Sequence, residues 1–486
     1  LNTLEILKLR KSKKQQKIYW SNRAIIIHRK RIKREVIKHQ QKVGWLKYTL
    51  DIKIHSRKTG KESIFPKYER NHKDFKLGEK PSHSDTYRYL ASVKNAFSNQ
   101  AVTIDDTSTF ELPTVFSLTE DEYSADSLFF LKRMFHALYH QPIQKIVLDY
   151  SKCERVDVDA SVCLDILMND YVHYYKQCRR KRHDIVLTQI GITNVKNNNI
   201  KKVLLSIGTF AIIRGIKAEF ADVVPYPLCI ADNTHPHASS LREVHITELV
   251  DHVIKCMKKM KKELMAQAEE DLFKVIGEVL INAEEHSSCK KRYSIGYFQD
   301  SSDSGEHVGI FNLVILNFGQ TIYEKFSDPD CPNQKVVQRM KELSNSFTKN
   351  GLFSKAEFEE QTLWTLYALQ EGVTSKSDWK RGNGSIRFIE SFFNMKGSRE
   401  KDNISHLSIV SGNTRIKFDG TYCIKEVPKG QPIKNFKMMT FNKEGDIEAK
   451  PDSNFVTFAD NYFPGTLISA KICIKENNTQ VSENEQ

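Results

Sequence analysis

The chain has 486 residues, 40% hydrophobic and 28% charged, the balance of a soluble globular protein long enough for two or three cores. No run approaches the roughly 18 apolar residues of a membrane span, and no apolar stretch with a small-residue cleavage site follows the lysine-rich start; a cytoplasmic protein without a membrane span is expected. The formal charge of +14 is uneven, because residues 1–100 carry 26 Lys+Arg against 8 Asp+Glu, a net of +18 that leaves the rest of the chain at −4.

Residues 1–98 read as a basic, mostly helical N-terminal region and linker. Lys11, Lys13, Lys14, Arg29, Lys30, Arg31, Lys33 and Arg34 alternate with Ile25, Ile26, Ile27, Ile32 and Ile37 at roughly helical spacing. Clustered Lys/Arg can bind nucleic acid by releasing counterions from its phosphates. The same run also fits a solvated basic helix packed on the rest of the protein, and no zinc finger, homeodomain or RNA-recognition signature decides between them. The nine cysteines (Cys153, Cys163, Cys178, Cys229, Cys256, Cys289, Cys331, Cys423 and Cys473) are scattered without a Cys-x-x-Cys pair. They support neither a zinc ribbon nor a disulfide framework, and reduced thiols are expected.

Residues 99–225 alternate strand-like and helix-like segments, the order of a small α/β layer. Ile146-Val-Leu-Asp149 and Asp184-Ile-Val-Leu-Thr188 suit buried strands, Val158 to Tyr175 has helical periodicity, and an apolar Val203-Leu-Leu-Ser-Ile-Gly segment follows. At a strand-to-helix junction lies Asp157-Val-Asp159-Ala-Ser161-Val. This segment resembles the STAS domains of anti-sigma-factor antagonists, whose loop reads Asp-Ser-Ser-Gly before a helix. The resemblance puts Asp159 on the Asp and Ser161 on the phosphorylatable Ser, while Ala160 and Val162 depart from the pattern. Asp159 and Ser161 can equally be N-terminal helix caps. A protein partner through this layer is one implication.

Residues 226–245 read as a connector, since Pro225, Pro227 and Pro236 interrupt regular structure. His235-Pro236-His237 has no nearby Cys or paired carboxylate and reads as an exposed loop rather than a metal site. A helix from about Ile246 to Met265 leads into the most informative segment, Glu278-Val-Leu-Ile-Asn282-Ala-Glu-Glu285-His286. At about 100° per residue, Glu278, Asn282 and Glu285 share one narrow stripe. Leu272, Val275, Ile276, Val279, Leu280 and Ala283 fill the opposite arc, which faces a core. A carboxylate can polarise water, and an amide oxygen four residues on can hold Mg²⁺, which prefers oxygen ligands.

Three further motifs follow this helix. An apolar strand, Val308 to Leu316, runs into Asn317-Phe-Gly319-Gln-Thr321-Ile322; Arg381-Gly382-Asn-Gly384-Ser385-Ile386 enters a helical run to Phe393; and Phe463-Pro-Gly465-Thr466 opens a closing strand to Cys473. With Glu278-x-x-x-Asn282-Ala in front, residues 246–476 resemble the ATPase domain of histidine kinases, type II topoisomerases, MutL and Hsp90, the GHKL or Bergerat fold.

The resemblance implies ATP and Mg²⁺ as cofactors, Glu278 as the catalytic base and Asn282 as the Mg²⁺ ligand. It implies further nucleotide contacts from Glu285, Asn317, Gly319, Thr321, Gly382, Gly384, Ser385 and Thr466. Asn317 stands where the family has an Asp, and Thr321 where it has a second glycine. An Asn oxygen still accepts from an adenine amino group, but its own amide hydrogens then need partners. Residues 323–380 occupy the place of the family's ATP lid, with Lys376, Lys380 and Arg381 as candidates for the γ-phosphate. Residues 477–486 form a polar tail.

The expected fold is thus an α/β and α+β multidomain chain. A STAS-like α/β domain precedes a Bergerat-fold α/β sandwich, behind a basic helical N-terminus. The function these readings imply is a cytoplasmic, bacterial-type, Mg²⁺-dependent ATP-binding protein, a GHKL-type ATPase acting as a regulatory or stress and defence switch. Two alternatives stay open: an anti-sigma-type serine kinase aimed at a serine such as Ser161, and a non-hydrolysing nucleotide sensor holding nucleic acid through its basic front. Asp251-His252-Val lacks the acid that follows a phospho-accepting His, which disfavours a histidine kinase. Self-association is open too.

Overall fold

The computed structural model describes residues 83–93, 109–140, 145–181, 189–208, 218–285, 287–301, 307–348, 358–376, 384–396, 402–429 and 434–475. The basic residues 1–82, the segment Asp184–Thr188, Gly382, Lys380, Arg381 and His286 lie outside them. The chain divides into two compact units, residues 1–79 with His235–Leu249, and Lys80–Thr234 with Val250–Gln486. Of the first unit the description covers residues 235–249. There His235 to His237 make a turn, with the Ala238 N–H donating to the His235 carbonyl, before helix α5 (Ala238–Lys259) begins.

The second unit is mixed α/β. Its first layer opens with helix α1 (Asp85–Ser92), capped by the Ser84 hydroxyl, which accepts the Tyr87 N–H. Then come β1 (Thr109–Glu111), β2 (Val115–Phe116), α2 (Asp121–His140), β3 (Lys145–Asp149), β4 (Arg155–Val156), α3 (Val158–Lys181), β5 (Gln189–Thr193) and α4 (Asn198–Ser206). Strands β1, β3 and β5 form a parallel sheet in that order, and β2 pairs with β4, also parallel. Parallel neighbours need crossover connections, which α2 and α3 supply. The apolar Val203–Gly208 segment closes α4, because Ile200, Val203 and Leu204 recur at helical spacing and are buried.

The second layer is built on one five-stranded antiparallel sheet of order β6-β7-β8-β12-β9. Its strands are β6 (Val223–Asp232), β7 (Lys291–Ser301), β8 (Val308–Phe318), β9 (His406–Phe418) and β12 (Val456–Lys475). Helices α6 (Ala266–Glu285), α7 (Ile322–Ser327), α8 (Gln334–Thr348), α9 (Glu360–Ala368) and α10 (Gly384–Lys396) accompany it, with a hairpin of β10 (Lys425–Lys429) and β11 (Lys434–Met438). Where the prolines predict a connector, residues 223–232 instead form β6, and α5 starts at Ala238 rather than near Ile246. Strand β6 is an edge, where a missing proline N–H breaks no ladder bond, and its pairing slips between Tyr226 and Cys229, around Pro227.

The sheet has a core on each face. Tyr293, Ile295 and Tyr297 of β7, Val314, Leu316 and Phe318 of β8, and Val410, Phe463 and Leu467 join one buried cluster with Leu90, Phe135, Leu164 and Met168 of the first layer. Because side chains alternate along a strand, Arg292, Ser294, Ile315 and Asn317 point to the other face. That face carries α6, which packs on β7 and β8, and α10, which packs on α6 and β12. The apolar arc of α6 is buried as its spacing predicts, from Ile276 and Leu280 at 0% exposed to Ala283 at 9%. Residues 323–376 include α8 and α9, with Leu363, Trp364, Leu366 and Tyr367 of α9 buried. Among the described residues, no helix is long and apolar enough to cross a membrane.

Candidate functional site

The polar stripe of α6 meets the start of α10. A Cβ on Gly384 would lie 3.0 Å from Glu278 Oε2, 3.1 Å from Glu278 Cβ and 3.2 Å from Asn282 Nδ2. The backbone of α10 therefore approaches the acid and the amide closely enough that a side chain at position 384 would press on both. Ser385 is the second residue of this 13-residue helix, whose first-turn N–H groups and dipole favour an anion. Arg387 Nη1 lies 3.9 Å from Glu278 Oε1, with both side chains 40% or more exposed, so the pair is solvent-screened. Further along the stripe, Lys376 Nζ is 3.5 Å from Glu285 Oε2.

A second group of polar residues lies across the same face of the sheet. Thr466 of β12 sits opposite Asn317 of β8 and opposite Ser411 of β9, making a row of amide and hydroxyls over three strands. Asn317 is 2% exposed and its Nδ2 has no hydrogen-bond partner among the described residues. A buried donor left unpaired costs roughly 1–3 kcal/mol. Ser411 Oγ and Thr466 Oγ1 are 2.9 Å apart, and Ser411 Oγ accepts the Ile322 N–H at 2.9 Å. Gly465 makes the row feasible: at φ +150° it brings β12 so close to β8 that a Cβ there would collide with the Asn317 carbonyl.

Two predicted contacts are committed to the turn itself. The Gly319 N–H donates to the Pro464 carbonyl, and its carbonyl accepts the Tyr89 hydroxyl of α1 at 2.7 Å. Thr321 caps α7: its hydroxyl accepts the Glu324 N–H at 3.1 Å, while its own N–H donates to Glu324 Oε2 at 2.8 Å. Glu324 also accepts the Tyr462 hydroxyl. Burial, then the nearby Glu324 carboxylate, pushes the hydroxyl pKa values of Tyr89 and Tyr462 up. Both tyrosines act as neutral donors there.

Below this site, Arg292 (0% exposed) and Glu284 (4% exposed) form an ion pair of 3.1 Å between β7 and α6. Sequence reasoning passed over Glu284 in favour of Glu285. The signal was present, since Glu284 follows buried Leu280 by four residues and so lies on the apolar arc, where a carboxylate needs a buried cation. Ser411, Gly465 and Tyr89 had no comparable signal, because cross-strand register and the docking of α1 place them.

The segment from Asp157 to Val162 lies on the opposite face, where Asp159 meets Ser469 of β12. Asp159, in the first turn of α3, is 2% exposed and accepts the Leu118 N–H at 2.9 Å, the Thr119 hydroxyl at 2.7 Å and the Ser469 hydroxyl at 3.4 Å. Its carboxylate thus ties the exit of β2 to β12 and also takes a hydrogen bond from the Ala160 N–H in the first turn of its own helix. Burial, helped by Asp157, raises its pKa to about 6. Ser161 is 6% exposed and turns its hydroxyl toward Asp165 at 3.5 Å. Ser469, which touches Asp159, is three residues from Thr466, so the sheet separates Ser161 from Glu278 and Asn282.

His252 is 3% exposed, between the rings of Tyr226 and Phe311, and burial with Lys255 nearby lowers its pKa to about 3. It is not presented to a nucleotide. Among the described residues no three His, Cys, Asp or Glu side chains converge as a metal-holding group. A magnesium ion that keeps waters and phosphate oxygens needs only one or two protein ligands. The chain matches no family model, no curated protein and no solved structure.

Proposed function

We propose that this chain binds a magnesium nucleoside triphosphate, ATP, on the face of the five-stranded sheet covered by α6 and α10, and hydrolyses it as a GHKL-type ATPase. The observation that carries the reading is the contact of Gly384 with both Glu278 and Asn282. It joins three kinds of chemistry from two motifs, namely a carboxylate, an oxygen-donating amide and a helix start that favours phosphate. The unpartnered amide of Asn317 on the same face supplies a contact for the base.

In this reading Asn282 holds Mg²⁺ by its amide oxygen, a hard donor suited to that ion. When bound, the ion neutralises charge on the phosphates. Glu278 orients the attacking water and takes its proton. Gly384 and Ser385 lie against the phosphates, and Asn317 with Thr466 lies against the base. The STAS-like layer is then the output side, held to the back of the sheet through Asp159 and Ser469. A switch in stress or defence regulation fits this plan by fold analogy alone.

Ser161 is buried and separated by the sheet from the acid and amide, which disfavours phosphotransfer to it within one chain. Titration of MgATP against the full chain tests the reading, with saturable binding expected and a loss of tenfold or more in Asn282→Ala. Phosphate release should fall at least a hundredfold in Glu278→Ala. Wild-type release in that variant removes the catalytic assignment, and a stable protein label from radioactive ATP, lost in Ser161→Ala, replaces the ATPase with a kinase.

A further inference from the structure

Asn317 carries an inference beyond nucleotide binding, and it rests on that reading. The side chain is 2% exposed, and among the described residues no group accepts from its Nδ2. A carboxamide has an acceptor and a donor on one carbon, and a half-turn about its Cβ–Cγ bond exchanges them. With Nδ2 unbonded, no hydrogen bond from that atom among the described residues holds the amide in one of the two orientations. The neighbours are equally adaptable. In the pair Ser411 Oγ and Thr466 Oγ1, 2.9 Å apart, either oxygen can be the donor. Asn317, Thr466 and Ser411 form a cross-strand row without a formal charge, whereas a carboxylate in the first position could only accept.

We propose that Asn317 reads the substituent at position 6 of a purine base as either donor or acceptor. The site then binds 6-amino and 6-oxo purine nucleotides with similar affinity. The amide oxygen accepts from an amino group; after the half-turn, the amide N–H donates to an oxo group. A site whose polar group is fixed as acceptor rejects the oxo base, because two lone pairs then face each other and a buried group is left unpaired. Ser411 is engaged by the Ile322 N–H and the Gly465 carbonyl, but among the described residues no hydrogen bond from Nδ2 holds Asn317 as an acceptor.

The experiment is calorimetric titration of the full chain with Mg²⁺ and three triphosphates identical except at position 6: ATP, inosine triphosphate and purine riboside triphosphate. The dissociation constants of the amino and oxo forms should agree within about tenfold, and the form lacking the substituent should bind about fivefold or more weakly than either, the worth of one hydrogen bond. In Asn317→Asp the amino form should be kept while the oxo form weakens at least tenfold further. An oxo form a hundredfold weaker than ATP in the wild type overturns the inference and leaves the nucleotide reading standing. So does equal binding of all three. Absence of binding by every nucleotide overturns both. The wild-type comparison decides the matter even where the aspartate variant fails to fold.

Discussion

Replacing Gly384 by alanine tests the contact on which the site is built. The added methyl would lie 3.0 Å from Glu278 Oε2, 3.1 Å from Glu278 Cβ and 3.2 Å from Asn282 Nδ2, against the roughly 3.5–4.0 Å at which carbon pairs attract. The carboxylate tip can swing away, but the Glu278 Cβ moves only with α6, so the helices must part by a few tenths of an ångström. Two effects on stability oppose each other. Alanine in a helix gains roughly 0.5–1 kcal/mol over glycine, and overpacking costs roughly 1–3 kcal/mol. The net loss is then about 0–2.5 kcal/mol. A misplacement of about 1 Å at a reacting centre can cost about a hundredfold in rate, and a shift of a few tenths directly under Glu278 should cost about tenfold. MgATP-dependent phosphate release and thermal unfolding, measured on the same preparation, read the two separately. Turnover within twofold of wild type would show that this close approach is structural only. A stability loss well above 3 kcal/mol would show that the glycine holds the fold rather than the chemistry.

Three other changes probe the scaffold. Gly465→Ala should be severely destabilising, because its Cβ would collide with the Asn317 carbonyl at the β8–β12 pairing; denaturant unfolding reads this, and a loss under 1 kcal/mol contradicts the register. Glu284→Ala should cost about 3–5 kcal/mol by removing the carboxylate that neutralises the buried Arg292 guanidinium. Replacing both members with apolar residues should restore part of that, and equal losses in single and double variants would refute the account. His252 should make the protein acid-labile. Its folded pKa of about 3 lies below the ordinary value, so below pH 6.5 the unfolded chain takes up a proton that the folded chain refuses. Stability from this group is full above pH 6.5 and falls by about 1.4 kcal/mol per pH unit toward pH 3. The His252→Phe variant should lose that part of the slope, and parallel wild-type and variant profiles between pH 4 and 6.5 would rule it out.

Local periodicity sufficed for much of the scaffold. The 3.6-residue spacing of Leu272, Val275, Ile276, Val279, Leu280 and Ala283 fixed which side of α6 is buried, and the apolar runs ending at Asn317 and beginning at Ile386 marked β8 and α10. Such signals are legible because each depends only on neighbours within a turn or two of the chain. Tertiary structure alone decided the rest. Pro225 and Pro227 break a ladder unless the strand is an edge, and strand order cannot be seen in a single segment. Glu284 and Glu285 are equivalent as letters, yet one pairs with Arg292 in the core and the other with Lys376 near the surface. The row of Asn317, Thr466 and Ser411 exists only through antiparallel register, which a one-residue slip would turn to the other face. The same alternation sends Ser469 to Asp159 while Thr466, three residues earlier, faces the helices. Chemistry-bearing residues can thus be named from their types and spacing, but which of them meet depends on pairings that span the chain.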